Sequence, residues 1–291
     1  MSYVISIDIG GTNLRVSVFE RKGFISKKVS IPVPGSWEEG FSEIERIIRG
    51  FIRDFGDMEG IGVGAPGPID FEGGRLLTPP NLPGWRYAPI KAFLEEKFSL
   101  PVLLENDANC AAFAEYRLDG RDPLLYLTVS TGIGGGVVYD GRIMRGRLGG
   151  ELGHIILDPD GPLCNCGSRG CLEAFASGKA IRRMAYERGM GDLSPEELLN
   201  LDDDRARSIF REVGFYLGIG IASLVHIFGP RVVVIGGGVS GAWDIFIDSL
   251  KETLNERLMP DFKNTFELKR SRLGDDAVLT GSAMLVYEQN L

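Results

Sequence analysis

Three of the four cysteines in the chain, Cys164, Cys166 and Cys171, fall within eight residues, and His154 is one of only two histidines. Three thiolates and an imidazole are the number and type of ligands that tetrahedral zinc prefers. Such borderline-soft donors select zinc over magnesium or calcium. Gly161, Pro162, Gly167 and Gly170 bend the chain enough for the sulfurs to converge. The spacing Cys-x-Cys-x4-Cys is not the paired Cys-x-x-Cys of common zinc fingers. Buried or disulfide-bonded cysteines are the competing explanation, and clustering beside a histidine favours the metal. Glu151 and Glu173 bracket the knot. Their apolar flanks, Leu152, Leu172, Ala174 and Phe175, put them at the edge of a core rather than in bulk solvent.

A second group of residues suits proton transfer. Glu105-Asn106-Asp107-Ala108-Asn109 follows the apolar run Val102-Leu103-Leu104 and opens a helix. Asp107 fits the helix start by capping and dipole logic alone. With Asn106 beside it, the pair also suits a hydroxyl substrate: the amide fixes one hydroxyl while the carboxylate accepts a proton from the attacking one. Phosphoryl transfer asks for little more than such a base, magnesium and donors for the phosphates.

Three glycine-rich turns follow strands, at Gly10-Gly11-Thr12-Asn13, at Ser130 through Thr131, Gly132 and Gly134 to Gly136, and at Gly236-Gly237-Gly238. Glycine lets backbone N–H groups approach phosphate oxygens. No Gly-Lys-Ser/Thr is present, which excludes a P-loop, and a strand follows each of the first two turns, which excludes the dinucleotide fingerprint. Two hairpin turns facing each other across two domains would hold a nucleotide in the cleft. Asp8 could orient magnesium through water or could cap its turn. Gly237 and Gly238 suit the adenosine or α-phosphate end of a nucleotide, or simply a tight strand-to-helix turn.

The elements that must carry these residues are legible from periodicity. Residues 3–9 read as a strand, 14–19 as its hairpin partner and 24–31 as a third strand, followed by a helix over 38–55. A strand enters the Gly64-Ala65-Pro66-Gly67-Pro68 loop, and then come a helix at 89–98, a short strand at 101–104 and a helix from 107. The layout then restarts. Leu124–Val129 is a strand, 130–136 a turn, and Val137 opens the next strand. Helices at 177–189, 194–200 and 204–227, a strand at 231–235, a helix at 242–258, a strand near 266–270 and a C-terminal helix at 275–289 complete it. The repeat implies two related domains, 1–115 plus 276–291 and 116–275, the second carrying the zinc knot.

Composition narrows the classes further. The 291 residues, 44% hydrophobic and 25% charged, support two cores. A net charge of −8 argues against a nucleic-acid surface. The N-terminus enters a strand directly, with no basic leader, and no continuous apolar run is long enough for a membrane span. Cysteines suited to metal rather than disulfides point to a reducing cytoplasm. Cys110 is left as a small buried residue.

With Asp8-Ile-Gly-Gly-Thr-Asn13, Asn106-Asp107, Ser130-Thr-Gly-Ile-Gly-Gly-Gly136 and the 151–173 stretch in order, the chain resembles the ROK family of repressors, open reading frames and kinases. The resemblance covers nearly the whole chain. It implies an α/β fold of two actin-like (ribonuclease-H-like) domains with an interdomain active-site cleft for MgATP and a hexose. It implies Asp107 as the base toward the sugar 6-hydroxyl, and Asn81, Asn106, Glu151, His154 and Glu173 on sugar hydroxyls. Gly67, in its loop, lies with Asn81 where the family reads the sugar 2- and 3-substituents. His154 would then serve both zinc and sugar, one ring nitrogen to each. Asp8, Gly10, Gly11, Thr12, Asn13, Thr131, Gly132, Gly134, Gly237 and Gly238 would serve the nucleotide and magnesium. Family repressors carry an added N-terminal helix-turn-helix, for which a chain opening on the first strand leaves no room, so a kinase is expected. Glucose is the expected sugar, with N-acetylglucosamine, N-acetylmannosamine, mannose, fructose and allose as alternatives and ATP or polyphosphate as donor. A homodimer or dimer of dimers is expected, with no nucleic-acid or membrane partner.

Overall fold

Tyr3–Ile9 (β1) buries every residue after Tyr3, which marks a strand covered on both faces. The structure, a computed structural model, describes residues 3–21 and 23–289. β1 forms antiparallel pairs with Asn13–Glu20 (β2), which pairs in turn with Phe24–Pro32 (β3). Ser36 caps the helix Trp37–Phe55 (α1) by accepting from the Glu39 N–H at 3.3 Å. α1 turns Phe41, Ile44, Ile48 and Phe51 into the core with Ile5, Ile7 and Ile9. Met58–Ala65 (β4) returns parallel to β1, and after the small pair Ile69–Asp70 (β5) and Arg75–Leu76 (β6) comes the helix Ile90–Phe98 (α2). Val102–Asn106 (β7) pairs parallel with β4 and runs straight into Asp107–Asp119 (α3). The sheet order is β3-β2-β1-β4-β7.

The same plan is repeated. Leu124–Val129 (β8) and Ile133–Tyr139 (β9) form a hairpin. The strand begins at Ile133, so Gly134, Gly135 and Gly136 belong to β9 and the turn is only Ser130 to Gly132, shorter than periodicity suggests. Arg142–Ile143 (β10) opens the segment 142–150. Then follow Leu172–Ala176 (α4), Gly178–Glu187 (α5), Pro195–Leu199 (α6) and Asp204–Phe228 (α7). Val232–Gly236 (β11) runs parallel to β8, Trp243–Arg257 (α8) packs along α7, and Glu267–Arg270 (β12) runs parallel to β11. α7 is, among the described residues, the one helix long and apolar enough to cross a membrane, a property its interrupted apolar pattern hides in sequence. Ile209, Phe210, Val213, Leu217, Ile221 and Val225 bury it in the core with β8 and β11.

The chain ends in Ala277–Gln289 (α9), which lies on β1 and β4. Ser6 Oγ donates to Leu279 O at 2.6 Å and meets Ser282 Oγ at 2.8 Å. A Cβ at Gly62 of β4 would stand 2.2 Å from Ser282 O, and one at Gly281 of α9 would stand 1.8 Å from Cys110 O. Glycine is therefore required at both contacts, and Cys110 is the buried small residue where α3 crosses α9. Two compact units result: residues up to 119 with 142–150 and 275 onward, and residues 120–141 with 151–274.

Candidate active site and metal centre

In the first unit the candidate residues gather at the carboxyl ends of parallel strands, where open α/β sheets bind ligands. Register aligns Asp8 of β1 with Gly64 of β4, and Gly64 with Glu105 of β7, so Asn106 and Asp107 lie one and two residues past this row. The hairpin tip is tied by the Gly10 N–H to Asn13 O at 2.9 Å, and a Cβ on Gly11 would lie 3.5 Å from Asn81 Cβ. That brings Asn81 beside the turn. Gly67 stands in the loop after β4, two residues past its end.

Asp8 is 4% exposed, and Arg15, opposite it across the hairpin, donates to Asp8 Oδ2 at 2.7 Å. Burial pushes the Asp8 carboxyl up to about 6 although the Arg15 hydrogen bond and charge pull it down. Arg15 also reaches Asp275 at 3.5 Å. Sequence reading missed Arg15, although hairpin register makes it the cross-strand partner of Asp8.

The start of α3 corrects one expectation. The cap is Asn106, whose Oδ1 accepts from the Asn109 N–H at 3.2 Å, while Asp107 Oδ1 accepts from the adjoining Ala108 N–H at 2.7 Å. Capping is thus separated from Asp107, and the Asn106 amide nitrogen remains a donor. Glu105, to which the sequence assigned no role, is buried. It accepts from the Asn106 N–H at 2.8 Å, from Asn109 Nδ2 at 3.0 Å and from Arg145 Nη1 at 2.6 Å.

In the second unit, Ser130 and Thr131 form the hairpin turn with Gly132, closed by Ser130 N–H to Gly132 O at 2.9 Å. The start of α5 seals its carbonyls, Gly178 N–H donating to Ser130 O at 2.7 Å and Lys179 N–H to Thr131 O at 3.3 Å. Gly237 has φ +81° and a Cβ there would lie 2.4 Å from Val129 O, so the β11 turn abuts this hairpin as only glycine permits. Gly238 then begins a short 3₁₀ turn before α8 rather than α8 itself.

The knot brings its four predicted ligands together: the ligand atoms of His154, Cys164, Cys166 and Cys171 all lie within 4.8 Å of one another. Cys166 and Cys171 sulfurs are 3.7 Å apart, and Cys164 Sγ is 3.5 Å from His154 Nδ1. Tetrahedral zinc with its usual bond lengths separates sulfurs by about 3.8 Å and sulfur from nitrogen by about 3.5 Å. The donor set fits zinc, and the cysteines are free rather than bridged. Backbone bonds build the loop, with Cys164 N–H to Ser168 O at 2.8 Å and Leu157 N–H to Gly170 O at 2.8 Å. Gly170, at φ +67°, passes where a Cβ would overlap Asp158 O. Burial pushes the Cys164 thiol up to about 12 and raises Cys171 as well, whereas at Cys166 the Ser168 N–H and the other two thiols outweigh burial and lower it.

Glu173 is 8% exposed in α4; its Oε2 accepts from the Ile133 N–H at 2.8 Å and its Oε1 lies 3.7 Å from Cys164 Sγ. Two further lone pairs of this carboxylate stay available to a hydroxyl. Glu151 is exposed, so unlike Glu173 it does not take the core-edge place its apolar flank suggested. Its surroundings still raise its carboxyl, chiefly by desolvation, with Glu173 adding and His154 opposing.

The ROK family model matches residues 4–289. A glucokinase from Thermotoga maritima is 38% identical over 98% of this chain and 98% of its own. A ROK hexokinase from Thermus thermophilus superposes with TM-score 0.85 at 40% identity, covering 99% of both chains. A ROK family glucokinase from Streptomyces griseus, in complex with glucose and AMPPNP, does so with TM-score 0.87 at 32% identity, covering 99% of this chain and 100% of that one. Matching from end to end, with two units of the same strand order, the chain belongs to the ROK family.

Proposed function

We propose that this ATP-dependent sugar kinase transfers the γ-phosphate of MgATP to the 6-hydroxyl of glucose, with Asp107 as the base. The observation that carries the reading is the start of α3. Asn106 takes over the cap at the carboxyl edge of the sheet, one strand from the Ala65-Pro66-Gly67 loop. Asp107 accepts the 6-hydroxyl proton as that oxygen forms its bond to the γ-phosphorus and the bond to the β-phosphate oxygen breaks, releasing ADP. Such a positioned base is worth about 10²–10⁴ in rate.

Sugar hydroxyls are held by Asn81, by the Asn106 amide, by Glu151 and Glu173 and by His154, with Gly67 leaving room beside the ring. His154 turns Nδ1 to the thiols, which leaves Nε2 to donate to a hydroxyl. His154, Cys164, Cys166 and Cys171 hold one zinc, which cross-links the loop between Glu151 and Glu173 when bound. The turns at Gly10, Gly11, Thr12 and Asn13, at Thr131, Gly132 and Gly134, and at Gly237 and Gly238 hold the nucleotide phosphates and adenosine. Asp8 orients the hydrated magnesium, which neutralises phosphate charge when bound. The enzyme works as a cytoplasmic homodimer or dimer of dimers.

An ADP-release assay with MgATP against glucose, mannose, fructose, allose and the two N-acetylhexosamines tests this, with phosphorus NMR of the product to locate the phosphate. A dominant kcat/KM for glucose and a 6-phosphate is expected. Preference for another sugar would replace glucose, and silence with sugar binding intact would indicate a sensor.

A further inference from the structure

Residues 142–150 lie in sequence between two stretches of the second unit, yet they pack with the first, and Glu151 follows immediately. Contacts with the strand ends and loops of that unit hold this segment. Leu148 O accepts from the Ile69 N–H at 3.3 Å, and Arg145 reaches Glu105 with its Nη1 2.6 Å from Oε2. The Arg145 guanidinium also covers the Phe71 ring, 4.2 Å from its centroid. Glu105 has a side chain only 4% exposed, against 43% for Arg145. A nearly buried carboxylate needs its countercharge, because removing one partner leaves the other charge uncompensated.

The other oxygen of Glu105 faces the start of α3. Its Oε1 accepts from the Asn106 N–H and from Asn109 Nδ2, while the Asn109 N–H donates back to Asn106 Oδ1. This closed set orients the Asn106 amide and sets the first turn that carries Asp107. The surface pair of Arg46 with Glu43 joins two exposed side chains of one helix. The Glu105–Arg145 pair instead ties a buried strand end to a residue 40 positions away.

We infer that Glu105 and Arg145 are a positioning pair. Arg145 fixes the Glu105 carboxylate, which holds Asn106 and Asp107 in their working orientation, and the same bond anchors the segment from which Glu151 continues. The inference rests on the reading of Asp107 as base. It makes Arg145 matter for turnover although it need touch neither sugar nor nucleotide.

The test is steady-state kinetics of the full-length, zinc-loaded enzyme with Glu105→Gln, Arg145→Met and the double variant. Each single variant is expected to lower kcat about 10-fold with the KM for MgATP within about twofold, because sub-ångström misplacement of a reacting group is costly in rate. The double variant is expected to be no worse than either single, the signature of residues acting as a unit. Parental kcat in Arg145→Met, or a multiplied loss in the double variant, would overturn the pair. Should Arg145→Met fail to fold, Arg145→Lys keeps the charge but loses the ring contact and fork; a kcat lowered severalfold supports the pair and a parental kcat overturns it. Asp107→Asn is measured alongside: parental turnover there would remove the base on which the inference rests. An inactive Asp107→Asn beside a parental Arg145→Met would remove only the positioning role.

Discussion

The two units share the strand order β2-β1-β4-β7 and β9-β8-β11-β12 with the same pairing senses, yet their sheet edges carry opposite chemistry. In the first, the row Asp8–Gly64–Glu105 runs into Asn106 and Asp107. In the second, the matching row begins Thr128–Gly236, uncharged, and its turn is held by backbone bonds to α5. Carboxylates near a metal ion or an attacking hydroxyl stabilise charge, whereas beside a phosphate chain they repel it. The contrast suits a proton-accepting edge on one unit and a phosphate-holding edge on the other. Their cores differ as well. The central parallel strand β4 presents Gly60, Gly62 and Gly64 so that α9 can lie against its backbone, while β11 is filled by Val232, Val233, Val234 and Ile235.

The sharpest way to break this contrast is Asp107→Ala, expected to lower kcat about 10³-fold while sugar affinity stays near normal. Steady-state kinetics with equilibrium sugar binding checks it, and a near-parental kcat would move the base elsewhere. Next in size is packing. Gly62→Val drives a branched side chain into the Ser282 carbonyl and should cost about 3 kcal/mol or more, whereas Val234→Gly at the equivalent place in β11 should cost about 2–3 kcal/mol through lost burial. Denaturant melts of both variants test whether the glycine face is needed only in the first unit.

Zinc removal probes the second unit alone. Chelation should weaken sugar binding at least about 10-fold before it affects nucleotide binding, because a zinc held by the proposed ligands would organise the loop between Glu151 and Glu173. Calorimetric titrations with each ligand separate this from global unfolding, in which both would vanish together. The remaining prediction concerns Asp8. Its carboxyl sits at about 6 in the fold against an ordinary 3.8, so between those pH values the folded chain binds more protons than the unfolded chain. Acidification from pH 7 to 4 should therefore add stability at this site, while kcat/KM for MgATP falls, by up to about 10-fold per unit below pH 6. Asp8→Asn should flatten both profiles, which pH-dependent melting and kinetics would reveal.

Much of this arrangement is legible in local order. A β-branched apolar run ending at glycines marks β1 and alternation marks β2, the apolar face of α1 follows the helical repeat, and three cysteines near a histidine announce a metal set wherever the chain turns back. Other features escape for identifiable reasons. α4 has five residues, too few for a periodic signal, yet it carries Glu173 to the Ile133 N–H. The triple glycine of β9 reads as a turn because glycine is a breaker by propensity, and sheet pairing with β8 overrides that. Asp107 reads as the cap because of its charge, although the residue before it makes the capping bond.

The amino-acid order by itself determined the two-fold repeat of strands, the glycine turns and the donor set of the knot, since each depends on residue types close together in the chain. Tertiary structure alone decided that residues 142–150 pack with the first unit, that Arg145 neutralises Glu105, and that Gly281 lets α9 meet Cys110. Those pairings join positions 40 and more residues apart, and nothing local in sequence specifies which buried charge or which bare backbone will need a partner.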